Sequence, residues 1–99
     1  MADILDVSGR KLATLGDDEK VRDMQGIIIG SVSFNGDIYN AMARKVGTFE
    51  ENGDIYQEGK KTGRVDSVGM VYDYENQRVG KVVGGNIKLG GAALLLLVR

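Results

Sequence analysis

Residues 52–67, NGDIYQEGKKTGRVDS, decide the architecture. An anchor, Ile55, is followed by Tyr56, a polar turn, and the run Lys61-Thr62-Gly63-Arg64-Val65. The Ile-Tyr pair suits a short strand, because β-branched and aromatic side chains pack well on a pleated surface. The polar, Gly-containing segment suits a turn, and the run after it suits a return strand. Two short strands around a turn make a β-hairpin.

The same string stands before it as Ile38, Tyr39, NAMA, Lys45, Val46, Gly47, Thr48, Phe49. It stands after it as Val71, Tyr72, DYENQ, Arg78, Val79, Gly80, Lys81, Val82. The anchors Ile4, Val21, Ile38, Ile55, Val71 and Ile87 recur at steps of 17, 17, 17, 16 and 16 residues. A fixed period of this kind marks a repeat architecture. Six units follow, over residues 3–17, 18–34, 35–51, 52–67, 68–84 and 85–99, within a single domain. The expected fold is all-β: about six tandem hairpins in a closed or nearly closed meander, like a barrel or a propeller. Closure removes the sheet edges that a repeat otherwise leaves open. The alternative is a β-solenoid with one unit per coil. It is disfavoured because stacking would set Lys45, Lys61 and Arg78 in a like-charge column at about 4.8 Å spacing.

Gly30, Gly47, Gly63 and Gly80 each stand between two mostly apolar positions three apart, as Gly47 does between Val46 and Phe49. On a flat strand such positions face opposite ways. A β-bulge at the glycine would bring both inward. Two stretches break the pattern. Ile27-Ile28-Ile29 reads as a strand buried on both faces. Residues 92–98, AALLLLV, read as an all-apolar last strand. It either closes the fold against the isoleucines or forms an exposed seam between subunits. Leu94, Leu95, Leu96 and Leu97 are therefore candidate interface residues.

Composition narrows the chemistry. The 99 residues are 42% hydrophobic and 27% charged, with a net charge of −1, so nothing recommends a nucleic-acid partner. There is no Cys and no His, which removes disulfides, thiolate metal sites and the usual general base. Ser8, Ser31, Ser33 and Ser67 have no imidazole to activate them. VGGN and GGAA lack the Lys-Ser/Thr of a phosphate loop. No enzyme and no cofactor is expected. The longest apolar run, seven residues, is far short of the roughly 20 that span a bilayer as a helix. With no secretory signal pattern at the start of the sequence, the cytoplasm is the expected location.

Tyr39, Tyr56 and Tyr72 are equivalent and should face outward beside inward anchors. A row of tyrosines can bind a ligand by stacking and hydrogen bonding, a glycan being the best-suited class; it can equally stiffen the hairpins by cross-strand packing. The string I-Y-[DNQ]-x-x-G-K-x-V-G-x-V resembles short hairpin repeats of bacterial and phage proteins of the four-fold beta flower kind. That resemblance implies hairpins arranged about an axis and implies no particular activity. The expected function is a non-catalytic structural or protein-interaction module that binds itself or another protein. A small-ligand module using the tyrosines is the alternative.

Overall fold

A computed structural model describes residues 1–98. Five antiparallel hairpins follow one another: β1 (Ala2–Leu5) with β2 (Lys11–Leu15), β3 (Lys20–Asp23) with β4 (Ile28–Val32), β5 (Asp37–Asn40) with β6 (Lys45–Phe49), β7 (Asp54–Gln57) with β8 (Lys60–Val65), and β9 (Met70–Asp73) with β10 (Arg78–Val83). Each strand pairs with its chain neighbours, and β10 pairs with β1, so the meander closes into a ten-stranded barrel. The closed meander is as expected, and the solenoid is excluded. The molecule is a disc of 30 × 29 × 19 Å. Two equal long dimensions are what a five-fold repeat about the short axis produces.

The sixth unit is not a hairpin. Residues Ile87–Ala93 form helix α1, which continues as a π-helical segment, Leu94–Val98. The expectation of an apolar last strand is therefore wrong, and the reason is visible in the residues. Ala and Leu lead the helix-propensity ranking, and AALLLL has none of the β-branching that marks a strand. Asn86 caps the helix by accepting from the Leu89 backbone N–H at 3.2 Å. An all-apolar helix needs burial on every side, and this one finds it in the barrel. Leu89, Gly90, Gly91, Ala92, Ala93, Leu94 and Leu95 are all buried.

The strand glycines explain how it fits. In every hairpin the register slips by one residue, leaving Leu12, Ile29, Val46, Thr62 and Val79 as the extra residue of a bulge. The bulge is as expected. The glycine after it points into the barrel and stays small because a leucine occupies the space. A Cβ on Gly80 would fall within 3.0 Å of Leu94, one on Gly63 within 3.0 Å of Leu95, one on Gly47 within 3.0 Å of Leu96, and one on Gly30 within 3.0 Å of Leu97. Each would also strike the next hairpin's backbone carbonyl. The fifth equivalent position, Ala13, is fully buried.

Consecutive leucines thus address consecutive hairpins. Gly90 and Leu94 both face β10, and Gly91 and Leu95 both face β8. An α-helix advances about 100° per residue, whereas five evenly spaced hairpins stand about 72° apart. The wider i→i+5 winding turns less per residue and brings the leucines closer to that spacing. Gly90 and Gly91 weaken a helix by about 1 kcal/mol each. They are present because Val82 and Val65 press on the helix there, and a Cβ would meet them within 3.0 Å.

The anchors Ile4, Val21, Ile38, Ile55 and Val71 are fully buried around the helix. The isoleucine run differs from expectation. Ile27 lies in a turn and Ile28 faces outward, both exposed, and only Ile29 packs on the core. The bulge places one residue of the run inside and leaves the others to the surface.

Turns are built by a repeated device. Asp6, Asp23, Asn40 and Asp73 each accept, through Oδ1, from the backbone N–H groups two and four residues on, at 2.9–3.1 Å. Such Asx turns are the reason Asp and Asn lead turn statistics. The fourth hairpin replaces the device with a two-residue Glu58-Gly59 turn, both at positive φ. That shorter loop accounts for the period of 16 after Ile55. At the sites of positive φ, Gly9 and Gly26 are matched by Asn76 and by Ala43, at φ +63°. At that position the third hairpin therefore carries backbone strain that Gly9, Gly26 and Asn76 avoid or lessen.

Between hairpins, Asp18 accepts from Arg22 at 2.9 Å and from the Lys20 backbone N–H at 3.1 Å. The Arg22 hydrogen bond, and then the Lys20 N–H, hold its carboxyl at about 2, below the usual 3.8.

Four expectations follow from the core and the turns. Leu94→Ala should cost about 3 kcal/mol in urea unfolding through the cavity it leaves, and Gly47→Ala about 1–3 kcal/mol through overpacking. Ala43→Gly should add about 0.5–1 kcal/mol by relieving the left-handed backbone; an unchanged or lower midpoint would contradict that strain. The Asp18 contribution is present above the ordinary carboxylate value and disappears as pH falls from about 4 through about 2. A carboxyl NMR titration should place the Asp18 midpoint near 2, and Arg22→Gln should move it back toward 3.8.

Candidate interaction surfaces

Antiparallel closure sorts the loops to two ends. The five turns within hairpins gather at one, the hairpin-turn end. The four links between hairpins, with residues 83–86, gather at the other, the linker end. Helix α1 enters at the linker end, where Gly85 meets Met1 and Ala2. Its last residues, Leu96, Leu97 and Val98, are half-buried toward the hairpin-turn end. Of the four leucines expected at an interface, Leu94 and Leu95 lie inside the barrel. Leu96 and Leu97 retain partial exposure.

The three tyrosines lie outside the barrel, half-buried, on β5, β7 and β9. Each stands opposite a residue of the preceding strand: Tyr39 opposite Ser31, Tyr56 opposite Thr48, Tyr72 opposite Arg64. Two strands separate one tyrosine from the next, about 9.6 Å, too far for ring-to-ring contact. The Arg64 guanidinium lies 4.2 Å from the Tyr72 ring centre and covers one of its faces. Tyr39 and Tyr56 have the small Ser31 and Thr48 on the preceding strand and Lys45 and Lys61 opposite them on the following one. The wall also carries a repeated ion pair. Lys11 reaches Asp3, Lys45 reaches Asp37 and Lys61 reaches Asp54, at 3.1–3.3 Å. Such exposed pairs are worth little individually. Asp73, after the anchor of the fifth hairpin, is spent on its own turn instead.

Exposed apolar side chains show where the molecule is unfinished. Val7, Met24, Ile27, Ile28, Met42 and Tyr74 stand at the hairpin-turn end. Met1, Phe34, Val68 and Val83 stand at the linker end. Met42 is 82% exposed and Phe34 68%. Eight of these ten lie outside the strands; Ile28 is the first residue of β4 and Val83 the last of β10. Sequence reasoning missed this set, because apolar residues inside polar turns carry no periodicity.

With Lys11, Lys45 and Lys61 held by the wall carboxylates, the hairpin-turn end carries Arg10, Arg44, Lys60 and Arg78 beside Asp6, Asp23, Glu58, Asp73 and Glu75. The linker end carries Asp17-Asp18-Glu19, Glu50-Glu51 and Asp66. An open cleft of about 610 Å³ lies at that acidic end, between Glu51, Asn52, Ser67, Asn86 and Lys88. Among the described residues, no cluster of three or more His, Cys, Asp or Glu is placed to hold a metal ion. No helix is long and apolar enough to cross a membrane. No protein-family model matches this chain, and no curated protein or solved structure matches it either.

Proposed function

We propose that the barrel is a non-catalytic interaction module that self-associates through its ends. One observation carries this reading: among the described residues, eight of the ten exposed large apolar side chains lie outside the strands, and Ile28 and Val83 are the terminal residues of theirs. Apolar residues grouped on one surface and absent from the rest mark an interaction site. The composition agrees, since the chain has neither of the side chains, His and Cys, that most often carry general-base or thiolate chemistry. Light scattering on a sizing column should give a mass above the 10.7 kDa of one chain at high protein concentration. The double substitution Met24→Glu with Met42→Glu, both in exposed turns, should return it to 10.7 kDa. A single chain at every concentration would overturn the reading.

A second reading, small-ligand binding at the wall, is favoured by the position of Tyr39 and Tyr56 beside the small Ser31 and Thr48, without the guanidinium that covers Tyr72. Tyrosine presents both a stacking face and a hydroxyl, which is the chemistry that recognises a sugar. A glycan array should then find a binder that is lost in Tyr56→Ala and kept in Tyr72→Ala. Equal loss in both variants, or no binder, would remove it.

A further inference from the structure

We infer that Met24 and Met42 form an oxidation site: a hydroperoxide converts their thioethers to sulfoxides, and this switches off self-association while the barrel stays folded. The switch rests on the self-association reading and names the side chains that regulate it.

Sulfur in this chain is thioether only, with four Met and no Cys. No thiol competes for an oxidant, so exposure decides which methionine reacts. Met24 is 60% exposed, Met42 82% and Met1 72%. Met70, on β9 opposite Lys81, is half-buried on the wall. Met24 and Met42 stand in the turns of the second and third hairpins, which are neighbours through the pairing of β4 with β5. The exposed Ile27 and Ile28 belong to the same hairpin as Met24. Two thioethers therefore stand among the apolar side chains of the hairpin-turn end, whereas Met1 stands at the linker end.

Neither turn needs its methionine. Turn chemistry favours Gly, Asn, Asp and Ser at such positions. Asp23 holds one turn by accepting from the Gln25 and Ile27 backbone N–H groups, and Asn40 holds the other by accepting from those of Met42 and Arg44. Both methionine side chains lie outside the core, so a change at sulfur leaves the fold intact and alters the surface alone. In the oxidation, a sulfur lone pair forms an S–O bond as the O–O bond of the hydroperoxide breaks. Sulfur loses two electrons, and the peroxide is reduced to water or an alcohol. The sulfoxide is polar, and burying it in an apolar contact costs desolvation. Association covers the turns, so the oxidant takes the free chain and holds it free. A methionine sulfoxide reductase with a dithiol reverses the step, returning the thioether with a disulfide and water.

The test treats the full chain with hydrogen peroxide and reads the oxygen gained at each methionine by peptide mass spectrometry. Met24 and Met42 should be converted while most of Met70 remains a thioether, and the urea unfolding midpoint should not move. Light scattering, at a concentration where the untreated protein exceeds 10.7 kDa, should then return to the mass of one chain. The reductase should restore the larger mass. The variant Met24→Leu with Met42→Leu keeps both turns apolar and should stay associated through the same treatment, although its Met1 is oxidised. Peroxide-driven dissociation of that variant, equal conversion of Met70, a lowered midpoint, or an undiminished mass with both sulfoxides present would overturn the switch and leave self-association standing. A single chain before any peroxide is added would overturn the self-association reading and the switch with it.

Discussion

A ten-stranded barrel is too wide to fill with its own inward side chains. An eight-stranded one is just filled by them, and two more strands open a lumen that must hold something. Here it holds the chain's own C-terminal helix, and the contact that seats the helix is leucine against glycine. Leu94, Leu95, Leu96 and Leu97 each enter the space left by one strand glycine. The strand residue must lack a Cβ because the leucine and the neighbouring carbonyl have already taken its place. The helix in turn thins to Gly90 and Gly91 where Val82 and Val65 crowd it. Neither half of the structure has a satisfactory core without the other. The hairpins alone enclose a void, and the helix alone exposes an apolar surface on every side.

That constraint reaches into local geometry. One residue must serve each hairpin, so the helix winds more loosely than an α-helix over its last five residues. The bulge beside each glycine serves the same end. It brings Leu12, Ile29, Val46 and Val79 against the core beside the helix, and it adds twist to hairpins that must curl into a ring. Repetition is strict where the lumen demands it and loose elsewhere. The anchors and glycines hold their places through all five hairpins, with Ala13 as the one substitution. The turns vary in length, in capping residue and in the side chain at the tip. Met24, Met42 and Tyr74 occur where no packing requirement restrains them.

The residues determined a good deal alone. The period of 16–17 with its Ile-Tyr pairs and glycines established a closed meander of hairpins, the inward anchors, the bulges and the outward tyrosines. These are all consequences of the two-residue alternation of a strand and of local turn chemistry, which neighbouring residues settle between themselves. The helix was half legible. The repeat favoured a sixth hairpin, although the Ala-Leu composition and Asn86 at the cap suit the helix that forms.

Only the tertiary structure decided the rest. Whether an apolar run lies at a seam or inside a barrel depends on how wide the ring closes, and the width depends on how many units pair before the first strand meets the last. That β10 would find β1 after five hairpins is a property of the whole ring and of no single repeat. The same closure sorted the turns to two ends and so gathered the acidic links, residues that stand far apart along the chain and meet only in space.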